Sequence, residues 1–315
     1  MNTLVTGAAG FIGSHLCEHL LAAGDTVRAV DTFTDYYARA VKERNLLAST
    51  GHPRFTFAEV DLASDALDEL LDGVEVVFHL AGQPGVRPSW GREFDHYTRH
   101  NIQATQRLLE AVRGLPLRKF VYASSSSIYG DAETLPTSEW TVPRPISPYG
   151  VTKLAAEHLC ELYRTGFHIP TASLRLFTVY GPRQRPDMAF HRLLRAALTG
   201  RGFELYGDGT QTRDFTFVED VVVAMRRAAI SGWCGVANIG GGARISMNDV
   251  LAIVERVTGG PVHVQATGTK RGDVRHTGAD VKLARDAFGY RPGTTVPQGL
   301  AAMWDWMNEA VEVVA

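Results

Sequence analysis

The chain has 315 residues, 45% hydrophobic and 21% charged, enough apolar material for one or two packed domains with a sizeable core. Its 32 Lys and Arg against 34 Asp and Glu leave a formal charge of −2, which excludes a strongly basic nucleic-acid binder. No apolar run approaches the ~20 residues of a membrane span, and a strand pattern starting at residue 2 leaves no room for a signal peptide. Cys17, Cys160 and Cys234 form no CxxC pair, and the 11 histidines form neither HxH nor HExxH. A cytoplasmic protein without a metal site is the expectation.

Residues 2–6 read as a strand ending in glycine, and residues 10–23 carry Ile12, Leu16 and Leu20 on one helical face until Gly24 stops the helix. Strands follow at 26–30, 74–80 and 119–123, the last two apolar enough to be buried on both faces. Strands separated by helical stretches predict a parallel sheet with right-handed crossovers, that is, an α/β doubly wound fold of Rossmann type. After residue 176 prolines and glycines become frequent, which predicts a smaller α/β substrate-binding lobe. The expected division is 1–175 for a dinucleotide-binding domain and 176–315 mainly for the lobe, with 211–240 returning to the first. Ser246-x-x-Asp249 ahead of an apolar run predicts a capped helix ending at Gly259 and Gly260.

Gly7, Gly10 and Gly13 stand between the first strand and the first helix. The first two allow a tight turn close to a pyrophosphate, Gly13 allows close helix–sheet packing, and the helix N-terminus offers unpaired N–H groups. Asp31, at the tip of the second strand, can accept both adenosine ribose hydroxyls and repels a 2′-phosphate, which favours NAD over NADP. Asp61 with Leu62, and Leu80 with Ala81, follow later strands where an adenine and ribose pocket would continue.

Tyr149 and Lys153 are four residues apart at the start of a helical pattern and share one face. Lowering a tyrosine from its usual pKa of ~10 to ~7 takes roughly 4 kcal/mol of preference for the phenolate. A nearby ammonium and an oxidised nicotinamide are the expected sources. Ser124, Ser125, Ser126 and Ser127 follow the fifth strand, at the sheet edge where ligands collect.

Taken together, GAAGFIG, SSSSIYG, SPYGVTK and YGDGTQTRDFTFVED resemble the extended short-chain dehydrogenase/reductases, in particular the nucleotide-sugar epimerases, along nearly the whole chain. The resemblance implies Phe11, Ile12, Asn101 and Ser124 at the cofactor, and Tyr149, Lys153 and Ser125 in catalysis. It implies Tyr206 stacked on uracil and Arg213 at the diphosphate. RLFTVYGPRQRPDMA (175–189) and QPGVR (83–87) look like the UDP-glucuronate 4-epimerases, implying Arg87, Ser125, Ser126, Ser127, Thr178, Arg185 and Ala189 at the substrate. Arg271 and Asp273 join them from RGDVRHTGAD (271–280), which also suits hexosamine epimerases.

Related dehydratases carry an Asp-Glu pair where this chain has Ser126 and Ser127, and related decarboxylases carry Glu at Ser127, so neither elimination nor CO₂ loss is expected. UDP-glucose or UDP-N-acetylhexosamine 4-epimerisation stays open, and a non-catalytic NAD-binding scaffold is disfavoured by the tyrosine and lysine. The resemblance further implies a homodimer formed around 105–113 and 154–164, with no nucleic-acid or membrane partner.

Overall fold

A computed structural model describes residues 1–268, 272 and 274–312. Strand and helix alternate as the periodicity predicts: β1 (Asn2–Thr6), α1 (Phe11–Ala22), β2 (Thr26–Asp31), α2 (Arg39–Leu46), β3 (Phe55–Glu59), α3 (Asp68–Leu71) and β4 (Val76–His79). Next come α4 (Phe94–Tyr97), a π-helical turn (Thr98–Gln103), α5 (Ala104–Ala111), β5 (Lys119–Ser125), α6 (Pro148–Phe167) and β6 (Thr171–Leu176). The rest comprises β7 (Val179–Tyr180), α7 (Ala189–Thr199), β8 (Phe203–Tyr206), β9 (Thr212–Asp214), β10 (Thr216–Phe217), α8 (Val218–Ile230) and β11 (Gly235–Ile239), then β12 (Arg244–Ser246), α9 (Met247–Thr258), β13 (Val264–Thr267), α10 (Lys282–Phe288) and α11 (Val296–Glu312).

Seven of these strands form one parallel sheet in the order β11-β6-β5-β4-β1-β2-β3. The order reverses between β1 and β4, and at that switch point a crevice opens beyond the carboxyl ends of the strands. Consecutive strand residues face opposite sides. Leu4 therefore joins a core with Val77, Leu108, Phe120 and Cys160, while Val5 joins one with Leu16, Val121, Leu174 and Met225. A third core, with Phe190, Leu193, Phe203, Val250, Val254, Leu300 and Met303, gathers α7, α9, α11 and β8 into a smaller lobe.

The chain does not enter that lobe and stay there. Residues of α8, β11 and α10 return to the core of the large sheet, including Val221, Ile239 and Phe288. Ser246 caps α9 in a reciprocal box with Asp249, and the helix stops at Gly259 in the left-handed conformation. Among the described residues no helix is long and apolar enough to cross a membrane, and no acidic, histidine and cysteine cluster is arranged to hold a metal.

Candidate active site

The crevice at the switch point is a cleft of about 420 Å³, lined from both lobes. Gly7, Gly10, Phe11, Ile12 and Gly13 form one wall, with Asp31, Asp61, Leu62, Leu80, Ala81 and Asn101 beside them. Gly7 has φ of 68°, and a Cβ there would lie 2.8 Å from the Ala81 nitrogen, so β1 and β4 meet too closely for any side chain. Gly10 is the N-cap of α1 and supplies no side-chain cap, leaving the first-turn N–H groups for an anion. Asp31 accepts the Ala9 N–H at 3.1 Å and the Phe33 N–H at 2.9 Å, which fixes its carboxylate at the end of β2. Burial pushes its pKa up, opposed by these donors and by the Lys42 ammonium. A glycine cradle, an uncapped helix and a ribose-sized carboxylate fit a dinucleotide.

Asn101 lines the same cleft, but its side chain is committed to the protein. Its oxygen accepts the Gln83 N–H at 2.7 Å, and its amide donates to the Gln83 carbonyl at 3.1 Å and to the Thr152 hydroxyl at 2.9 Å. It ties the 83–87 segment to α6. Ser124 lines the cleft too, with its hydroxyl engaged by the protein. It is buried at the end of β5 and donates to Glu157 at 2.6 Å, so its proton is spent on the protein rather than on a ligand. Glu157 in turn pairs with buried Arg175 at 2.7 Å.

Ser147 caps α6 by accepting the Gly150 N–H at 3.1 Å, and Pro148 occupies the first turn, where its missing N–H costs nothing. This start brings Tyr149 and Lys153 onto the cleft wall beside Ser125, Ser126 and Ser127. Ser125 hydrogen-bonds the Tyr149 phenol and accepts the Ser127 N–H at 3.2 Å. Lys153 lies 4.4 Å from the Tyr122 ring centroid, and burial pulls its pKa down to about 8 against the pull of Cys160 and Glu157.

Burial pushes the Tyr149 phenol above its ordinary value, and the Ser125 hydrogen bond and Arg185 guanidinium oppose the rise without cancelling it. The chain's own cations do not lower it; a desolvated phenolate needs further positive charge beside it.

Thr178 and Arg185 line the cleft from the smaller-lobe side. Arg87, Tyr206 and Arg213 are not among the residues lining this cleft. The Arg87 guanidinium stands 4.1 Å from the Tyr206 ring centroid, and Arg213 donates to the carbonyls of Thr212 and Arg275 at 3.0 and 2.9 Å. One face of the ring assigned to uracil thus carries an arginine. Ala189 is exposed at the first position of α7 and does not line the cleft. Arg271 and Asp273 lie outside the described residues.

The sequence reading missed Tyr36, Lys42, Gln83 and His100, all in the cleft wall. No pattern marks 32–46 as chemical, because Tyr36 and Lys42 act through partners that only the fold supplies. Lys42 donates to the Thr34 carbonyl at 2.5 Å, and Tyr36 reaches Asp187 across 151 residues.

A glycine cradle, a strand-end carboxylate and a tyrosine–lysine–serine group thus share one cleft, and the family model for NAD-dependent epimerases and dehydratases matches residues 3–240. The chain belongs to the NAD-dependent epimerase/dehydratase family. Within this family it is 45% identical over 305 residues to the uncharacterised UDP-glucose epimerase YtcB of Bacillus subtilis (strain 168), covering 95% of this chain and 96% of that one. The UDP-glucuronic acid 4-epimerase of Bacillus cereus, solved with UDP-glucuronic acid and NAD, superposes with a TM-score of 0.95 at 42% identity, covering 98% and 100% of the two chains. MoeE5, solved with UDP-glucose and NAD, superposes with a TM-score of 0.87 at 43% identity, covering 99% and 100%.

Proposed function

We propose that the protein interconverts UDP-glucuronate and UDP-galacturonate by inverting C4 through a 4-keto intermediate. The observation that carries this reading is one cleft holding a phenol, its serine partner and a guanidinium beside the glycine cradle. When bound, oxidised NAD supplies a hydride acceptor and the positive charge that the Tyr149 site lacks.

The chain's own residues do the rest. Tyr149 Oη takes the proton from the C4 hydroxyl, and Ser125 Oγ hydrogen-bonds the same sugar oxygen. Lys153 Nζ holds the phenolate and a cofactor ribose hydroxyl. Because Arg185 lines the same cleft as Tyr149, we assign it to the sugar carboxylate, and leave Tyr206 to the uracil and Arg213 to the diphosphate. The keto sugar is a β-keto acid and loses CO₂ if its C–C bond aligns with the carbonyl π system. Thr178 and Ser127 are neutral donors placed to hold the carboxylate out of that alignment.

Neutral UDP-sugars remain the second reading, favoured by the net neutrality of the Arg185–Asp187 pair at 3.0 Å. We also assign a homodimer to the faces of α5 and α6, where Val151, Leu162 and Phe167 are 48%, 63% and 49% exposed. Light scattering on the purified protein tests that assembly.

A proton NMR time course with UDP-glucuronate and no added cofactor tests the reaction. The expected product is the C4 epimer. A pentose product points to decarboxylation, and an inert uronate beside an epimerised UDP-glucose points to the second reading.

A further inference from the structure

Asp187 is exposed beside the cleft, next to Arg185 of its wall, and has no part in the reaction above. Arg185 keeps only 18% of its side chain exposed, and Asp187 grips one edge of it, with Nε 3.0 Å from Oδ1 and Nη2 3.1 Å from Oδ2. The same Oδ2 accepts the Tyr36 hydroxyl at 3.3 Å, and the Arg185 guanidinium stands 5.7 Å from the Tyr36 ring centroid. Tyr36 belongs to the segment after β2 and lines the cleft as Arg185 does, so the three side chains join that segment to the one after β7. A planar guanidinium is the donor that recognises a carboxylate in two-point fashion. Here the protein already supplies a carboxylate of its own.

Resting on the reading of the cleft as a uronate site, we propose that Asp187 is a specificity-determining counter-ion, whose charge sets how strongly Arg185 prefers an acidic sugar over a neutral one. An unopposed guanidinium in a half-closed cleft holds substrate, keto intermediate and product equally. Such uniform binding lowers KM without raising kcat, and it anchors a ring that must turn between two hydride transfers. Asp187 takes up the excess attraction. Tyr36, by hydrogen-bonding Oδ2, tempers the repulsion that Asp187 exerts on the substrate carboxylate. The two neighbours therefore act in opposite directions on one preference.

Calorimetric Kd values for UDP-glucuronate and UDP-glucose with wild type, Asp187→Asn and Tyr36→Phe test this. Asp187→Asn keeps an acceptor for Arg185 but loses the charge, so the uronate tightens about tenfold relative to the neutral sugar. Its KM and kcat for the uronate fall together. Tyr36→Phe moves the binding ratio the other way, by a few-fold. If both sugars shift together in both variants, or if Asp187→Asn weakens the uronate alone, the assignment is overturned and Asp187 only props Arg185 in place. Wild-type turnover of each sugar is followed in parallel. An inert uronate overturns the proposed reaction, whereas an unmoved binding ratio overturns the counter-ion alone.

Discussion

Lys153 shows how a residue is placed against its own stability. Its folded pKa of about 8 lies below the ~10.4 of an unfolded lysine, so the unfolded chain binds more protons between those values. Stability therefore rises with pH across that window, and below it the folded protein bears the full cost of a buried ammonium. Lys153→Met is expected to raise the Tm of cofactor-stripped protein by several degrees at pH 7 while abolishing turnover. Calorimetric scans should show the advantage vanishing near pH ~10.5. A second residue-scale expectation concerns the β-keto acid. Thr178→Val or Ser127→Ala should release the carboxylate and raise the share of pentose product, read by NMR, while an unchanged product ratio counts against their role. The sequence exposed these residues to view because their types and spacing are chemical. It hid the direction of the Tyr149 shift, since burial raises it beside Tyr97 while Arg185 opposes the rise, and both residues are distant in the chain. The resemblance set Ser124, at the cofactor, apart from Ser125, Ser126 and Ser127, but the bond from Ser124 to Glu157 comes from the fold alone.

At the scale of the element, the start of α6 decides whether Tyr149 and Lys153 meet the serine turn. Gly150 sits in its first turn, and a Cβ there would lie 2.6 Å from the Ser127 carbonyl oxygen. In most helices Gly→Ala stabilises by up to ~1 kcal/mol. Gly150→Ala should do the reverse, lowering Tm and cutting kcat by at least tenfold as the serine turn is pushed from Tyr149. Steady-state kinetics beside calorimetry checks both. Ser147→Ala removes the cap and should cost about 1 kcal/mol. Alternation and caps made the parallel sheet, α1 and the Ser246 box readable in advance. The helix at 39–46 escaped because its polar sequence shows no apolar stripe, and the π-turn at 98–103 carries Asn101, whose side-chain partners Gln83 and Thr152 lie elsewhere in the chain.

For the whole molecule, the segment after β7 is strapped to the large sheet. Arg183 pairs with Glu18 of α1 at 2.7 Å and donates to the Asn45 carbonyl of α2 at 3.4 Å, and His15 contacts the Pro182 carbonyl at 2.9 Å. Arg183 does this at φ of 61°, a conformation that costs a non-glycine residue of order 1 kcal/mol. The strap crosses the first turns of α1, whose uncapped N-terminus lines the cleft. Arg183→Ala should therefore lose bound NAD several-fold faster on dialysis, measured by chromatography of the released nucleotide. Equal retention in variant and wild type would remove the strap from cofactor holding. None of this was visible in advance, because ion pairs 165 residues apart leave no periodic trace.

The interleaving of the two lobes has a consequence for how such a molecule can change. Phe203, Val250 and Leu300 lie in one core, while Val221, Ile239 and Phe288, from between them in the chain, lie in the other. No single crossover in the gene could exchange the sugar-facing half as a cassette without carrying off a strand that its host needs. New preferences must then arrive one codon at a time, at positions such as 178, 185 and 187, on a scaffold that stays whole throughout.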